Sequence, residues 1–452
     1  MEAAEECGRR ELLILQPFQV THSDLLLLSS SSPSSESESG PMGSIRRGIM
    51  DALGPSGPGL LSVTGVQEAS ALRRKVLPLS RDLALLDRER RARVLKEHRL
   101  GTDVPMKDPR RAVSSFAMQL RYGECVESMQ EISGNGMDTS EIGCDPNDGG
   151  VTREFQEKGF DGLGSSFKEL GLLMIEMGLA LARVCDQSLG GNELERCLME
   201  SGTAKGRLIH YHSATDYLAL EKKVKIFSKR RVSSSRKPGE KITVSSESDS
   251  CDPFSDLWQQ WHYDYGVFTI LTAPMFLTAA FPEMDSNEQH SLSFVEEYPY
   301  PDGLTYLRIL DPTKNDVFMV NTLPENFIIQ VGESADVLSR GRLRSTLHCV
   351  CRPKNPENVS RETLVVFLQP AWSKHLSLSE YSRDQLASAD SDIEQSADEP
   401  CVPDWNKKKI MEVIQEKIPP LALRIKGGVS FAEFARETTR QYYGSSGLQS
   451  NR

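Results

Sequence analysis

His262 and Asp264 stand two residues apart in Trp261-His262-Tyr263-Asp264-Tyr265-Gly266-Val267-Phe268-Thr269-Ile270-Leu271. On an extended, β-rich run, side chains at i and i+2 leave the same face, so both can reach one ion while Tyr263 points away. One further histidine would complete two imidazoles and a carboxylate around that ion. Such a set suits non-haem Fe(II) and leaves three coordination positions open for chemistry. By itself His-x-Asp also describes a hydrogen-bonded core pair or a surface pair, so the rest of the chain has to decide.

His348, within Leu343 to Cys351 (LRSTLHCVC), offers the missing imidazole. A Pro/Asn-rich turn, RPKNPEN, joins that run to VSRETLVVFL (359–368), where Arg361, Thr363, Val365 and Phe367 share one face. A hairpin turning near Asn355-Pro356 would set His348 opposite Thr363, with Arg361 diagonal to it. A slip of one residue would turn Arg361 away. A guanidinium and a hydroxyl beside the third ligand make an anchor for a carboxylate, through a charge-assisted fork and a hydrogen bond. A 2-oxo acid with a second, distal carboxylate would span metal and anchor. His210 and His212, in Gly206 to His212 (GRLIHYH), also share a face and compete as ligands, but no carboxylate follows at a matching position. Cys349 and Cys351 face away from the side that carries His348 and read as buried structural thiols. Trp258, Trp261 and Phe276 flank the metal strand, either as packing aromatics or as the lining of a pocket.

Short strands have to position these groups. LTYLRIL (304–310), DPTKND and VFMVN (317–321) form a hairpin pattern, and NFIIQVG (326–332) is a further apolar strand. Many short strands at this spacing predict an all-β sandwich or barrel core. Upstream, ELLILQPFQV (11–20) reads as one short strand and SSSSPSSESESGPMGS (29–44) as a flexible break. Ser44 to Leu53 and Val66 to Leu100 are helix-like, with Pro78 a kink or boundary, and GPSGPGLLSVTGV between them is a turn and a short strand. Residues 124–165 read as a long loop. In SFKELGLLMIEMGLALARVCDQ (166–187), Leu170, Leu173, Met177 and Leu181 recur at helical spacing, as in a helix packed on a sheet. Residues 222–256 pass from basic to acidic and serine-rich and read as a disordered insertion. Within it, Lys229-Arg230-Arg231 is a candidate nuclear-targeting cluster and the serines are candidate phosphorylation sites. Residues 379–406 are loose and acidic, and KKKIMEVIQEKI (407–418) and VSFAEFARETTRQYYG (429–444) are terminal helices.

The whole chain, 452 residues with 38% hydrophobic and 26% charged residues, is lean for one packed globule, which agrees with sizeable insertions around an ordinary core. A net charge of −11 argues against nucleic acid or an anionic membrane as the main partner. Nine cysteines without a regular frame fit a reduced intracellular setting, and no apolar run is long enough to span a membrane. A soluble cytoplasmic protein is expected, nuclear if the basic cluster acts.

His262-Tyr263-Asp264-Tyr265-Gly266, Gly341 to His348 (GRLRSTLH) and Arg361-Glu362-Thr363 with Phe367 and Pro370 resemble the isopenicillin N synthase-like family of 2-oxoglutarate- and Fe(II)-dependent oxygenases, over about residues 200–372. The resemblance implies a mainly β fold with flanking helices, its core a double-stranded β-helix (jelly roll) over 205–372. Around it would lie an N-terminal α/β segment (1–123), the loop (124–165), a packing-helix region (166–204), an acidic flexible segment (373–406) and C-terminal helices (407–444). His262, Asp264 and His348 would then be Fe(II) ligands, Arg361, Thr363 and Tyr211 contacts of 2-oxoglutarate, and no catalytic side chain beyond the ligands is implied. O2 and an organic small molecule would be the other substrates, with ascorbate as reductant, and hydroxylation or desaturation would release succinate and CO2. The chain departs from the family pattern at Ile209 (Asn), Ser213 (Pro), Thr363 (Ser), Glu333 (Asp) and Cys349-Val350-Cys351 (Arg-Val). A non-catalytic binding scaffold and a ferrous oxidase that does not use 2-oxoglutarate are the alternative readings.

Overall fold

The computed structural model describes residues 13–31, 40–104, 106, 111–123, 159–231, 257–279, 295–311, 316–354, 358–378, 419–425 and 427–443. Its strands in chain order are β1 (Leu13–Leu15), β2 (Gln19–Thr21), β3 (Leu60–Thr64), β4 (Gly101–Thr102), β5 (Val113–Arg121), β6 (Thr203–Tyr211), β7 (Leu257–His262), β8 (Phe268–Thr272) and β9 (Met275–Ala279). Then come β10 (Val295–Tyr298), β11 (Leu307–Asp311), β12 (Asp316–Val320), β13 (Phe327–Val331), β14 (Leu347–Cys351), β15 (Val359–Leu368), β16 (His375–Leu376) and β17 (Val429–Ser430). The smaller of the two main sheets runs β1-β12-β11-β14-β7. The larger runs β2-β3-β13-β8-β15-β6-β5-β4, with β9 also beside β15 and β10 beside β9. The sheets enclose a shared interior in which Trp258, Ile309 and Val350 from one meet Tyr211, Leu271, Phe276 and Val365 from the other. This is the double-stranded β-helix, mainly β with helices packed outside it.

Central strands of the larger sheet are apolar at nearly every position because both of their faces are covered. All five residues of β13 are buried, for example. The outer cover includes α1 (His22–Ser30), α2 (Pro41–Leu53), α3 (Ala69–Val76), α4 (Pro78–Leu85), α5 (Arg88–Glu97) and the long α6 (Leu163–Leu189). Leu170, Met174, Met177 and Leu181 of α6 belong to one core with Phe268, Ile270, Val366 and Leu368. The helix lies so close to the sheet that a Cβ on Gly178 would stand 2.3 Å from Leu368 Cδ1. α7 (Glu193–Ser201), α8 (Ala214–Arg231), α9 (Glu333–Leu338), α10 (Leu421–Arg424) and α11 (Phe431–Tyr443) are the other helices among the described residues. No described helix is long and apolar enough to cross a membrane.

The hairpin expected between the runs carrying His348 and Arg361 does not form. β14 pairs with β11 and β7, whereas β15 pairs with β6, β8 and β9. The two strands therefore lie in opposite sheets, and Arg361 is neither diagonal to His348 nor beside it on a ladder. A Pro/Asn-rich connector suits a crossing between sheets as well as a tight turn, and turn chemistry alone does not choose the partner. Residues 355–357 of that connector lie outside the described residues. The single strand expected at 11–20 is two: β1 joins β12 and β2 joins β3, one in each sheet. Residues 222–231 are not an irregular insertion but the end of α8, whose sequence ATDYLALEKKVKIFSKRR has no Gly or Pro to stop it. The basic cluster Lys229–Arg231 falls on that helix. The readings for 232–256, 124–158, 379–406 and 407–418 lie outside the described residues.

The loop after β13 clamps the metal strand. Gly332 N–H donates to Val267 O (2.9 Å), Glu333 N–H to Asp264 O (2.8 Å) and Ser334 N–H to Gly266 O (3.0 Å). A Cβ on Gly332 would lie 2.3 Å from Gly266 O and 3.0 Å from Asp264 O, both rigid backbone atoms. Gly332→Ala is therefore expected to cost about 1–3 kcal/mol by overpacking and to weaken metal binding, because the segment bearing Asp264 must shift. Thermal melting with and without Co(II) checks both effects; an unchanged melting temperature would show that the clamp is slack.

Candidate active site

β7 ends at His262 and Asp264 follows on the next loop, while antiparallel pairing sets His348 of β14 directly opposite His262. One donor atom from each of His262, Asp264 and His348 lies within 4.8 Å of the others. His262 Nε2 is 3.9 Å from Asp264 Oδ1 and His348 Nε2 is 3.8 Å from Asp264 Oδ2. Those gaps are too long for hydrogen bonds, so the three groups converge without satisfying one another. The imidazoles are 4.2 Å apart, centroid to centroid. His262 Nδ1–H donates to Gln260 O (2.7 Å) and His348 Nδ1–H to Thr346 O (3.1 Å). These bonds select the tautomer in which Nε2 carries no proton; a metal at His262 Nε2 would displace the Gln259 amide that donates to it. Burial, aided by the neighbouring His348, pushes His262 down to about 4, so it is neutral near pH 7, the form that ligates. Two imidazoles and a carboxylate in this arrangement fit a first-row divalent ion such as Fe(II).

Behind His262 runs a polar chain. Gln259 Nε2 donates to His262 Nε2 (2.9 Å), and Tyr211 OH donates to Gln259 Oε1 (2.7 Å). The Arg361 guanidinium stands 5.3 Å from the centre of the Tyr211 ring. Gln259 is not legible in the sequence as a site residue, because regular alternation would turn it away from His262. The β7–β14 register shifts between His348 and Val350, and this bulge lets Gln259 and His262 meet.

Arg361 faces the interior from the opposite sheet, directly across the β15–β6 ladder from Tyr211. It is only 2% exposed, and its Nε donates to Thr305 O (3.1 Å). No ion pair joins it to a described carboxylate, and burial lowers its pKa. A guanidinium held in the interior without an anion is costly, and an anionic ligand would relieve that cost. Thr363 shares its face, with Oγ1 donating to Thr272 O (3.2 Å). Trp258 and Phe276 line the same interior; Trp258 lies 5.6 Å from the Tyr211 ring and its Nε1 donates to His212 O (2.9 Å). Trp261 packs instead on the outer side with Leu310, Leu347 and Cys349. Both thiols are buried, but only Cys349 turns outward; Cys351 joins the inner cluster past the second register shift of β14.

His210 and His212 project from the reverse face of β6 and take no part in this interior. The expectation that no carboxylate joins them is corrected by Asp216, which the first turn of α8 brings to both. Glu333, in place of the family's Asp, forms a buried ion pair with Arg424 of α10. α11 supplies a contact the sequence does not announce: Tyr263 N–H donates to Tyr442 OH (2.7 Å), and the Tyr442 ring meets His262 edge-on at 5.9 Å.

Two histidines and a carboxylate converging on a jelly roll can hold a non-haem Fe(II) ion. Residues 299–370, which include His348, Arg361 and Thr363, match the 2OG-Fe(II) oxygenase superfamily. Similar solved structures include a full-length Neurospora crassa protein in complex with alpha-KG and 5-formyluracil, at 13% identity, covering 84% of this chain and 92% of that one, with a TM-score of 0.42. Another is the dioxygenase for auxin oxidation 1 from Arabidopsis thaliana, in its 2-oxoglutarate complex (14% identity, 79% and 94% covered, TM-score 0.44). A third is the rice dioxygenase for auxin oxidation (14% identity, 81% and 90% covered, TM-score 0.43). No curated protein sequence matches the chain.

Tyr442→Phe removes the acceptor for Tyr263 N–H and is expected to cost about 1–3 kcal/mol, with a measurable loss of Co(II) affinity at the His262 site. Calorimetric metal titration checks it; wild-type affinity would mean that α11 does not brace the metal strand.

Proposed function

We propose that this chain is an Fe(II)- and 2-oxoglutarate-dependent oxygenase that oxidises an organic small molecule, with His262, Asp264 and His348 as the metal ligands. The observation that carries the reading is Arg361, a buried guanidinium with no protein anion among the described residues, facing the same interior as the converging His262, Asp264 and His348. A dicarboxylic 2-oxo acid has the chemistry both ends ask for: a chelating head for the metal and a carboxylate for the guanidinium fork. When bound, Fe(II) with 2-oxoglutarate supplies O2 activation, the oxidising power for hydroxylation or desaturation, and release of succinate and CO2.

The remaining work belongs to the chain. His262 and His348 are oriented by their Nδ1–H bonds to backbone carbonyls. Tyr211 and Gln259 link the anchor side to the metal side, and Trp258, Phe276 and Val365 exclude water around the cosubstrate. Arg361, Thr363 and Tyr211 are the proposed cosubstrate contacts, Thr363 by rotating its hydroxyl away from Thr272. A ferrous oxidase working without 2-oxoglutarate would leave Arg361 with no purpose. The acidic net charge favours a small-molecule partner over nucleic acid or an anionic membrane, and a cytoplasmic location is proposed with it.

Purified protein with Fe(II), ascorbate and 2-oxoglutarate should release succinate slowly without added substrate, and His262→Ala should abolish this. Arg361→Lys keeps the charge but loses the fork, at about 1.5–3 kcal/mol, so the KM for 2-oxoglutarate should rise by about 10–100-fold. Iron binding with no succinate at any 2-oxoglutarate concentration would overturn the reading.

A further inference from the structure

The reverse face of β6 carries a second gathering of metal-ligating side chains. His210, near the end of β6, His212, just beyond it, and Asp216, in the first turn of α8, place one donor atom each within 4.8 Å of one another. All three side chains are fully buried. The imidazoles meet edge to face, 4.3 Å apart.

Each ring is fixed by its other nitrogen. His210 Nδ1 bonds Glu362 (2.9 Å), itself held by Ser80 and Ser360. His212 Nε2 bonds Ser114 Oγ (2.8 Å). Asp216 Oδ1 pairs with Arg81, and Asp216 Oδ2 accepts from Ser213 N–H and Oγ–H. The nitrogens left over, His210 Nε2 and His212 Nδ1, are buried and have no hydrogen-bond partner among the described residues. Histidines anchored through one nitrogen by a carboxylate or hydroxyl, with the other pointing at a shared carboxylate, are the outer-sphere pattern of metal sites.

The rival occupant is a proton. Asp216 and Glu362 carry two negative charges against one on Arg81, and an imidazolium at His210 would balance them. Yet His210 Nε2 lies 3.5 Å from Asp216 Oδ2, beyond the 2.7–2.9 Å usual for a charge-assisted bond. A proton there would also leave His212 Nδ1 without any partner, whereas a divalent ion satisfies both nitrogens at once.

We propose that His210, His212 and Asp216 bind a structural zinc ion, separate from the His262 site and independent of the oxygenase reading. Two imidazoles and a carboxylate, all buried, are donors that Zn(II) takes, and a single enclosed water would fill its fourth position. The ion would tie α8 to β6, and through Glu362 and Ser80 to β15 and α4, behind the strands that present Tyr211 and Arg361.

Full-length wild-type and His262→Ala protein, produced with zinc in the medium and dialysed against EDTA, test this by elemental analysis and zinc-edge absorption spectroscopy. Both should retain about one zinc per chain, with nitrogen and oxygen neighbours, imidazole among them, at about 2.0–2.2 Å. His212→Ala should lose that zinc while Fe(II) still binds at the His262 site. Wild-type protein without zinc, zinc that disappears with His262→Ala, or zinc kept undiminished in folded His212→Ala would overturn the proposal. If His212→Ala does not fold, the spectrum of His262→Ala decides, because a zinc lacking imidazole neighbours would equally overturn it.

Discussion

The opposition of His262 and His348 across the antiparallel β7–β14 pair is the constraint on which the rest of the site hangs. Two backbones locked by a ladder bring imidazoles from distant parts of the chain to one place, and their Nδ1–H bonds to local carbonyls orient the rings. Neither ring needs help from a flexible loop. Asp264 does sit on a loop, and three backbone bonds from the segment after β13 hold that loop still. The jelly roll thus sets His262 and His348 on a paired ladder of one sheet and Arg361 on the other, and the width of the interior sets the span between them.

Much of this is legible in the residue pattern, and what is not has physical causes. His-x-Asp on a β-rich run, a later His and an Arg-x-Thr pair can be read directly because side-chain direction alternates along a strand. The expected hairpin between β14 and β15 fails because a turn sequence says that the chain bends, not which strand it meets next. Gln259 escapes because a bulge breaks the alternation on which such reading depends, and Tyr442 because helix periodicity marks a packing face without naming the surface it meets. β5 gives no signal although it pairs along its whole length with β6; its mixed sequence VSSFAMQLR carries no clean period. Asp216 stays hidden because a helix start, not a strand position, brings it to His210 and His212.

The two faces of β6 and β15 show how one pair of strands serves two environments. Tyr211, Arg361 and Thr363 point inward; His210 and Glu362 point outward into a buried polar network under α4. Moving either strand by one residue would exchange those faces, and the buried charges on both sides penalise such a slip far more heavily than an apolar pair would. Register here is enforced by electrostatics as well as by shape.

Tyr442, on a helix that follows every described strand of the two main sheets in chain order, is bonded to the backbone between two of the metal-site residues. Translation therefore delivers this residue only after those strands have left the ribosome. A nascent chain can assemble its barrel while the metal strand still lacks its last support, and the finished geometry waits until α11 has been made. Until then Tyr263 N–H lacks the acceptor that Tyr442 OH supplies in the folded chain.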